Sequence, residues 1–178
     1  MDFSLIQKLG AEAKYANSKD EYSVRFTPKS VQSIKLESGE ILTKVVVIHF
    51  YPNSWDLGKT IIKQEGGKDV EVLYDPNVDF VLEEIAKLAA QYGAARIVIE
   101  GHTDSSMKGK VPTAQVKELA ANRAAAVKES LINKYKTLDP KQFSTAGLGW
   151  DVPADANDAL NHAKNRRVEV KVYPLEEM

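Results

Sequence analysis

Cysteine is absent from the 178 residues, which excludes disulfides and thiolate metal sites and leaves the redox compartment open. No apolar run approaches the ~20 residues that a bilayer-spanning helix needs. The segment Met1-Asp2-Phe3-Ser4-Leu5 lacks the basic and apolar regions of a secretory leader. An excess of one charge is missing too: 24 Lys and Arg against 25 Asp and Glu leave a net charge of −1. Nucleic-acid binders carry a basic excess, so no nucleic-acid partner is expected. Wholesale disorder requires low hydrophobicity with high net charge, and this chain has neither. What remains is 43% hydrophobic and 28% charged residues, enough for one packed core of ordinary size.

Residues 1–40 read as an N-terminal extension or a linker from an upstream region. Phe3, Ile6, Leu9 and Ala13 recur at helical spacing within 2–16, Tyr22–Phe26 alternates like a strand, and Ser38-Gly39 is a turn signal. Residues 41–178 read as the domain. Ile41–Phe50 is rich in β-branched residues and predicts a buried strand. Thr60–Gln64 and Val70–Tyr74 flank Gly66-Gly67, which predicts a hairpin inserted near 58–74. Asp75-Pro76-Asn77 starts a helix whose stripe is Val78, Val81, Leu82, Ile85, Leu88 and Ala89, with Gly93 as its stop. Arg96–Glu100 predicts a strand. Thr113 is placed to cap a helix over roughly 114–135, Phe143–Thr145 predicts a short strand, and Gly147-x-Gly149 a loop. Arg167–Tyr173 predicts a strand with Val168, Val170 and Val172 on one face and Arg167, Glu169 and Lys171 on the other. This order implies an α+β, two-layer α/β sandwich with a mixed sheet and helices on one face.

One residue does not fit the core. In the helix after Thr113, at 100° per residue, Arg123 lies about 40° from Leu119, inside the stripe of Val116, Ala120, Val127 and Leu131. Ala124, Ala125 and Ala126 follow it and leave room. An unpaired buried charge costs several kcal/mol, so Arg123 needs an anion, an ion pair or an escape to solvent. Asp104 follows the strand over 96–100 by four residues, in a loop at the strand's C-terminal end, where open sheets place ligand sites. Either Asp104 caps its own turn, as Thr103 also could, or it forms with Arg123 a two-sign site. Such a site suits an internal salt bridge and a zwitterionic ligand equally well.

Four segments carry a family resemblance: Ile97–Ser105 (IVIEGHTDS), Leu119–Val127 (LAANRAAAV), Gly147–Pro153 (GLGWDVP) and Asn165–Val170 (NRRVEV). In this order, over about 41–173, the chain resembles the OmpA-like C-terminal domain, the peptidoglycan-associated module of outer-membrane proteins, lipoproteins and flagellar stators. The resemblance implies an OmpA-like βαβαβ(β) architecture and non-covalent, non-catalytic binding of peptidoglycan through the diaminopimelate of its stem peptide. It implies that Asp104 takes the ligand's ammonium and Arg123 its carboxylate. It places Arg166, the first Arg of Asn-Arg-Arg, near the pocket, Thr103 beside Asp104, and Asn53 and Ser54 in a bordering loop. The implied location is the periplasm, associated with the cell wall or outer membrane, with the leader or anchor outside this chain.

Departures from the family pattern are Val116 and Ala120, where relatives carry Asn and Ser, His162 in place of an Arg, and the added Met107-Lys108-Gly109-Lys110. Val116, Ala120 and the inserted hairpin motivate an alternative of another class: a protein–protein interaction domain of a larger envelope protein, with wall binding weak or lost. A metal-hydrolase reading built on Glu100, His102 and Asp104 lacks a recognisable ligand spacing. No metal, cofactor or catalytic residue is therefore expected, and the chain reads as not an enzyme.

Overall fold

The computed structural model describes residues 34–35, 41–42, 44–157 and 162–173. The helix and strand expected over 2–16 and 22–26 lie outside them. The described chain runs β1 (Ile34–Lys35), β2 (Ile41–Leu42), β3 (Lys44–His49), β4 (Thr60–Glu65), β5 (Lys68–Leu73), α1 (Val78–Gln91), β6 (Arg96–His102), α2 (Thr113–Lys134), a 3-10 turn (Pro140–Gln142), β7 (Phe143–Gly149), α3 (His162–Asn165) and β8 (Arg167–Tyr173). The strand expected over 41–50 is thus divided between β2 and β3.

Four strands form the main sheet in the order β3-β8-β6-β7. β8 pairs antiparallel with both β3 and β6, and β6 pairs parallel with β7. A mixed sheet with helices packed on it is what the alternation in the sequence requires. Strand periodicity puts Ile97 and Ile99 of β6 beside Val172 and Val170 of β8, and all four are fully buried. Against this layer α1 lays the stripe read from its sequence, with Val78, Val81, Leu82, Ile85, Leu88 and Ala89 all buried. α2 contributes Val116, Ala120, Ala124, Val127 and Leu131. The hairpin β4–β5 forms separately, and both residues of its Gly66-Gly67 turn have positive φ, the conformation of a two-residue turn that matches strand twist.

Two local expectations need correction. Thr113 is not the cap of α2: the helix begins with it, and Pro112 occupies the N-cap in extended conformation with no side-chain bond. Its fixed φ suits that place. The Gly147-x-Gly149 segment is not a loop but the end of β7. Gly147 lies opposite Gly101 of β6 in register, and both glycines face α2. A Cβ on Gly101 would lie 1.8 Å from the Ala120 carbonyl oxygen, and one on Gly147 would lie 2.5 Å from that of Lys117. The paired glycines form a flat seat on which the backbone of α2 rests, which turns Arg123 toward the end of β6. No helix among the described residues is long and apolar enough to cross a membrane.

Candidate functional site

The C-terminal end of β6 carries the site. Beyond His102 the chain makes one more sheet-like bond, Thr103 N–H to the Gly149 carbonyl at 2.8 Å. The ladder shifts register between Gly101 and His102, so Thr103 and Asp104 leave the sheet at a defined angle.

Asp104 is gripped on both oxygens. Its Oδ1 accepts from the Ser106 amide at 2.9 Å and the Ser106 hydroxyl at 2.6 Å. Its Oδ2 accepts from Arg166 Nη1 at 3.1 Å. Asp104 therefore does shape its own turn, as Asp commonly does, and also enters an ion pair. Burial by itself would raise its pKa, but the two Ser106 bonds and the Arg166 charge outweigh that and hold the carboxyl below its ordinary value.

Arg166 fans out from the residue before β8. Besides Asp104, it donates through Nε to the Phe50 carbonyl at 3.1 Å and through Nη2 to the Tyr74 hydroxyl at 3.1 Å. Burial opposes its charge, but Tyr74 and Asp104 more than compensate and raise its pKa. The side chains of Arg166 and Asp104 keep 13% and 12% of their surface exposed, so the pair is reachable from solvent.

Arg123 lies deeper, as its helical phase requires, and is 0% exposed. Its guanidinium donates to three backbone carbonyls: Nε to Ser54 at 2.8 Å, Nη1 to His102 at 2.8 Å and Nη2 to Tyr51 at 3.2 Å. It also lies over the Phe50 ring, 5.4 Å from the centroid. Burial lowers its pKa to about 10, with the Asp104 charge acting the other way, so it is a cation at neutral pH. The sequence pairs Asp104 with Arg123; the ion pair that forms is Asp104–Arg166, while Arg123 acts on Asp104 through its charge and pins the loop after β3 to the end of β6. Three of its five N–H donors are used, leaving one on each Nη.

Asn53 is exposed in that loop with φ of 52°. Ser54 presents its carbonyl to Arg123 and its Oγ to the Asp56 amide. Thr103 is buried, and its hydroxyl has no hydrogen-bond partner among the described residues. Thr103, Asp104, Ser54, Arg123 and Arg166 thus meet at one strand end, and Asn53 lies in the adjoining loop with its backbone in the left-handed region. Tyr74, Ser106 and Tyr51 were missed. Nothing in the hairpin's alternation marks Tyr74 as a partner of Arg166, whereas Ser106, two residues after an Asp, carries the spacing of an Asx turn. Tyr51 and Tyr74 meet edge to face at 5.4 Å, forming one wall. Val116 and Ala120, the departures in α2, are buried in packing against the sheet.

A separate cavity of about 800 Å³ lies behind this loop, lined by Trp55, Leu57, Val78, Leu82, Ala126 and Glu129 among others. It shares no residue with the charged cluster.

Comparisons with known proteins bear on the family and the fold. The profile of the OmpA family matches residues 58–167. Outer membrane protein Omp38 of Acinetobacter baumannii is 36% identical over 108 residues, which cover 56% of this chain and 29% of Omp38; the match therefore spans under a third of that relative. The OmpA-like domain of FopA1 from Francisella tularensis superposes with a TM-score of 0.54 at 15% identity, covering 83% of this chain and 82% of that one. The cell wall anchor of the T6SS from Pseudomonas aeruginosa gives 0.52 at 21% identity, covering 82% and 88%.

Proposed function

Since the chain belongs to the OmpA family, we propose that it is a peptidoglycan-binding domain that anchors an envelope protein to the cell wall from the periplasmic side, without catalysing a reaction. The observation that carries this reading is the charged cluster at the end of β6, where an acceptor and two guanidinium groups are held at fixed positions. Diaminopimelate ends in an ammonium and a carboxylate. Asp104 receives the ammonium on its solvent side, kept ionised by Ser106 and Arg166. The carboxylate takes the Nη donors of Arg123, replacing its longest bond, 3.2 Å to the Tyr51 carbonyl. The unpartnered Thr103 hydroxyl is available to the same ligand, and Asn53 and Ser54 border the entry.

Each charge-assisted bond contributes about 1.5–3 kcal/mol, so affinity for one stem peptide is modest. The test is co-sedimentation with purified sacculi. Asp104→Asn keeps the shape and removes the charge; Arg123→Lys keeps the charge and removes the fork. Both are expected to lose most binding while retaining a wild-type circular dichroism spectrum. Undiminished sedimentation of both variants overturns the mechanism. The interaction-domain alternative predicts instead no chemical-shift change near Asp104 on adding diaminopimelate or a stem tripeptide.

A further inference from the structure

The face of the sheet opposite the helices carries a second cluster that the wall-binding reading does not use. Glu100 of β6 stands directly opposite Glu169 of β8, and like charges facing across an antiparallel pair repel. His102, two residues along β6, shares that face. It is completely enclosed, and neither ring nitrogen has a hydrogen-bond partner among the described residues. An imidazole carries a donor or acceptor at each nitrogen, and leaving both unmet in the interior is costly. Its Nε2 lies 3.8 Å from Glu100 Oε1. One ligand atom from each of Glu100, His102 and Glu169 falls within 4.8 Å of the others.

We propose that Glu100, His102 and Glu169 bind a divalent first-row transition ion, with Zn²⁺ the best match. One imidazole nitrogen with two carboxylate oxygens suits zinc over magnesium or calcium. Tetrahedral bonds of about 2.0–2.1 Å set ligand atoms roughly 3.4 Å apart, so a contraction of up to about 1.4 Å from the present 4.8 Å limit closes the cluster. Two cations already touch it: Lys171 Nζ at 2.9 Å from Glu100 Oε1, and Arg167 Nε at 2.6 Å from Glu169 Oε2. Arg167 takes one oxygen of Glu169, whereas Lys171 holds Glu100 Oε1, the oxygen 3.8 Å from His102 Nε2, and so competes directly with an ion. In the ion-free protein they separate the facing carboxylates. Arg167 is buried and also tied to the Val152 carbonyl, so it stays, whereas Lys171 keeps 26% of its side-chain surface exposed and swings out when the ion enters. This competition makes the affinity moderate, and water fills the fourth position. The ion stabilises the strand end and performs no chemistry. The site stands independently of wall binding.

The experiment is calorimetric titration of ZnCl₂ into the untagged, metal-stripped full chain. One saturable equivalent with micromolar Kd is expected. Glu169→Gln and His102→Gln are expected to weaken it at least tenfold, and Lys171→Met to tighten it severalfold by removing the competitor. X-ray absorption at the zinc edge of the loaded wild type is expected to show one imidazole in the coordination shell, a readout that does not depend on any variant folding. Absence of saturable binding, survival of binding in Glu169→Gln, no tightening in Lys171→Met, or a shell with no imidazole or more than one, overturns the proposal.

Discussion

A guanidinium that satisfies three carbonyls is hard to replace. Arg123→Met would fill its volume but leave the carbonyls of Tyr51, Ser54 and His102 without a donor. The His102 carbonyl is buried and costs about 1–3 kcal/mol when left unmet, while those of Tyr51 and Ser54 are only part-buried, so urea unfolding should show a loss of about 2 kcal/mol or more. Tyr74→Phe is the milder probe. It keeps the ring against Tyr51 and deletes the acceptor for Arg166 Nη2. Losing one charge-assisted hydrogen bond inside the protein should lower the unfolding free energy by about 1.5 kcal/mol, read as a lower urea midpoint, while sacculus binding should fall less than in Asp104→Asn. The anomaly of Arg123 is legible from sequence because a charge at a core phase of a helix stands out against its neighbours. Its partners are not legible, since backbone carbonyls leave no mark in a side-chain pattern. For the same reason spacing cannot say which of the two arginines touches Asp104 and which acts on it at a distance.

Among the elements, α2 depends on its seat. Gly147→Ala places a methyl group 2.5 Å from the Lys117 carbonyl oxygen and 2.6 Å from the Ala121 nitrogen. Both obstacles are backbone, so the helix has to lift. Overpacking of this kind costs about 1–3 kcal/mol, and the melting temperature should fall by roughly 2–4 °C per kcal/mol for a domain of this size. Because Arg123 rides on the same helix, sacculus binding should fall with it, whereas Gly93→Ala, with nothing within 4 Å, should change neither. The hydrophobic stripe of α1 and the valines of β8 were readable because burial selects apolar residues at a fixed period. The length of β7 was not. Its glycines carry the usual signature of a turn, and only the approach of a helix from outside the strand explains them.

The described residues form a two-layer sandwich with its charged cluster at one end of the sheet, and the element order alone was enough to indicate that class. The pairing order was not available from local pattern, because which strands adjoin is decided by long-range packing. On the proposed reading each domain binds one stem peptide modestly, so fusing two copies through a flexible linker should strengthen retention on sacculi by about 10²–10⁴-fold while leaving affinity for a soluble tripeptide unchanged. The sheet order has a further consequence. β8, the last described strand to leave the ribosome, lies between β3 and β6, which have no bond to each other until it arrives. A nascent chain ending at residue 166 therefore has a gap at its middle, and such a truncation should give a disordered circular dichroism spectrum rather than a weakened native one. The central sheet thus closes only after β8 has been made, which keeps β3 and β6 unjoined while the intervening residues 103–166 are synthesised.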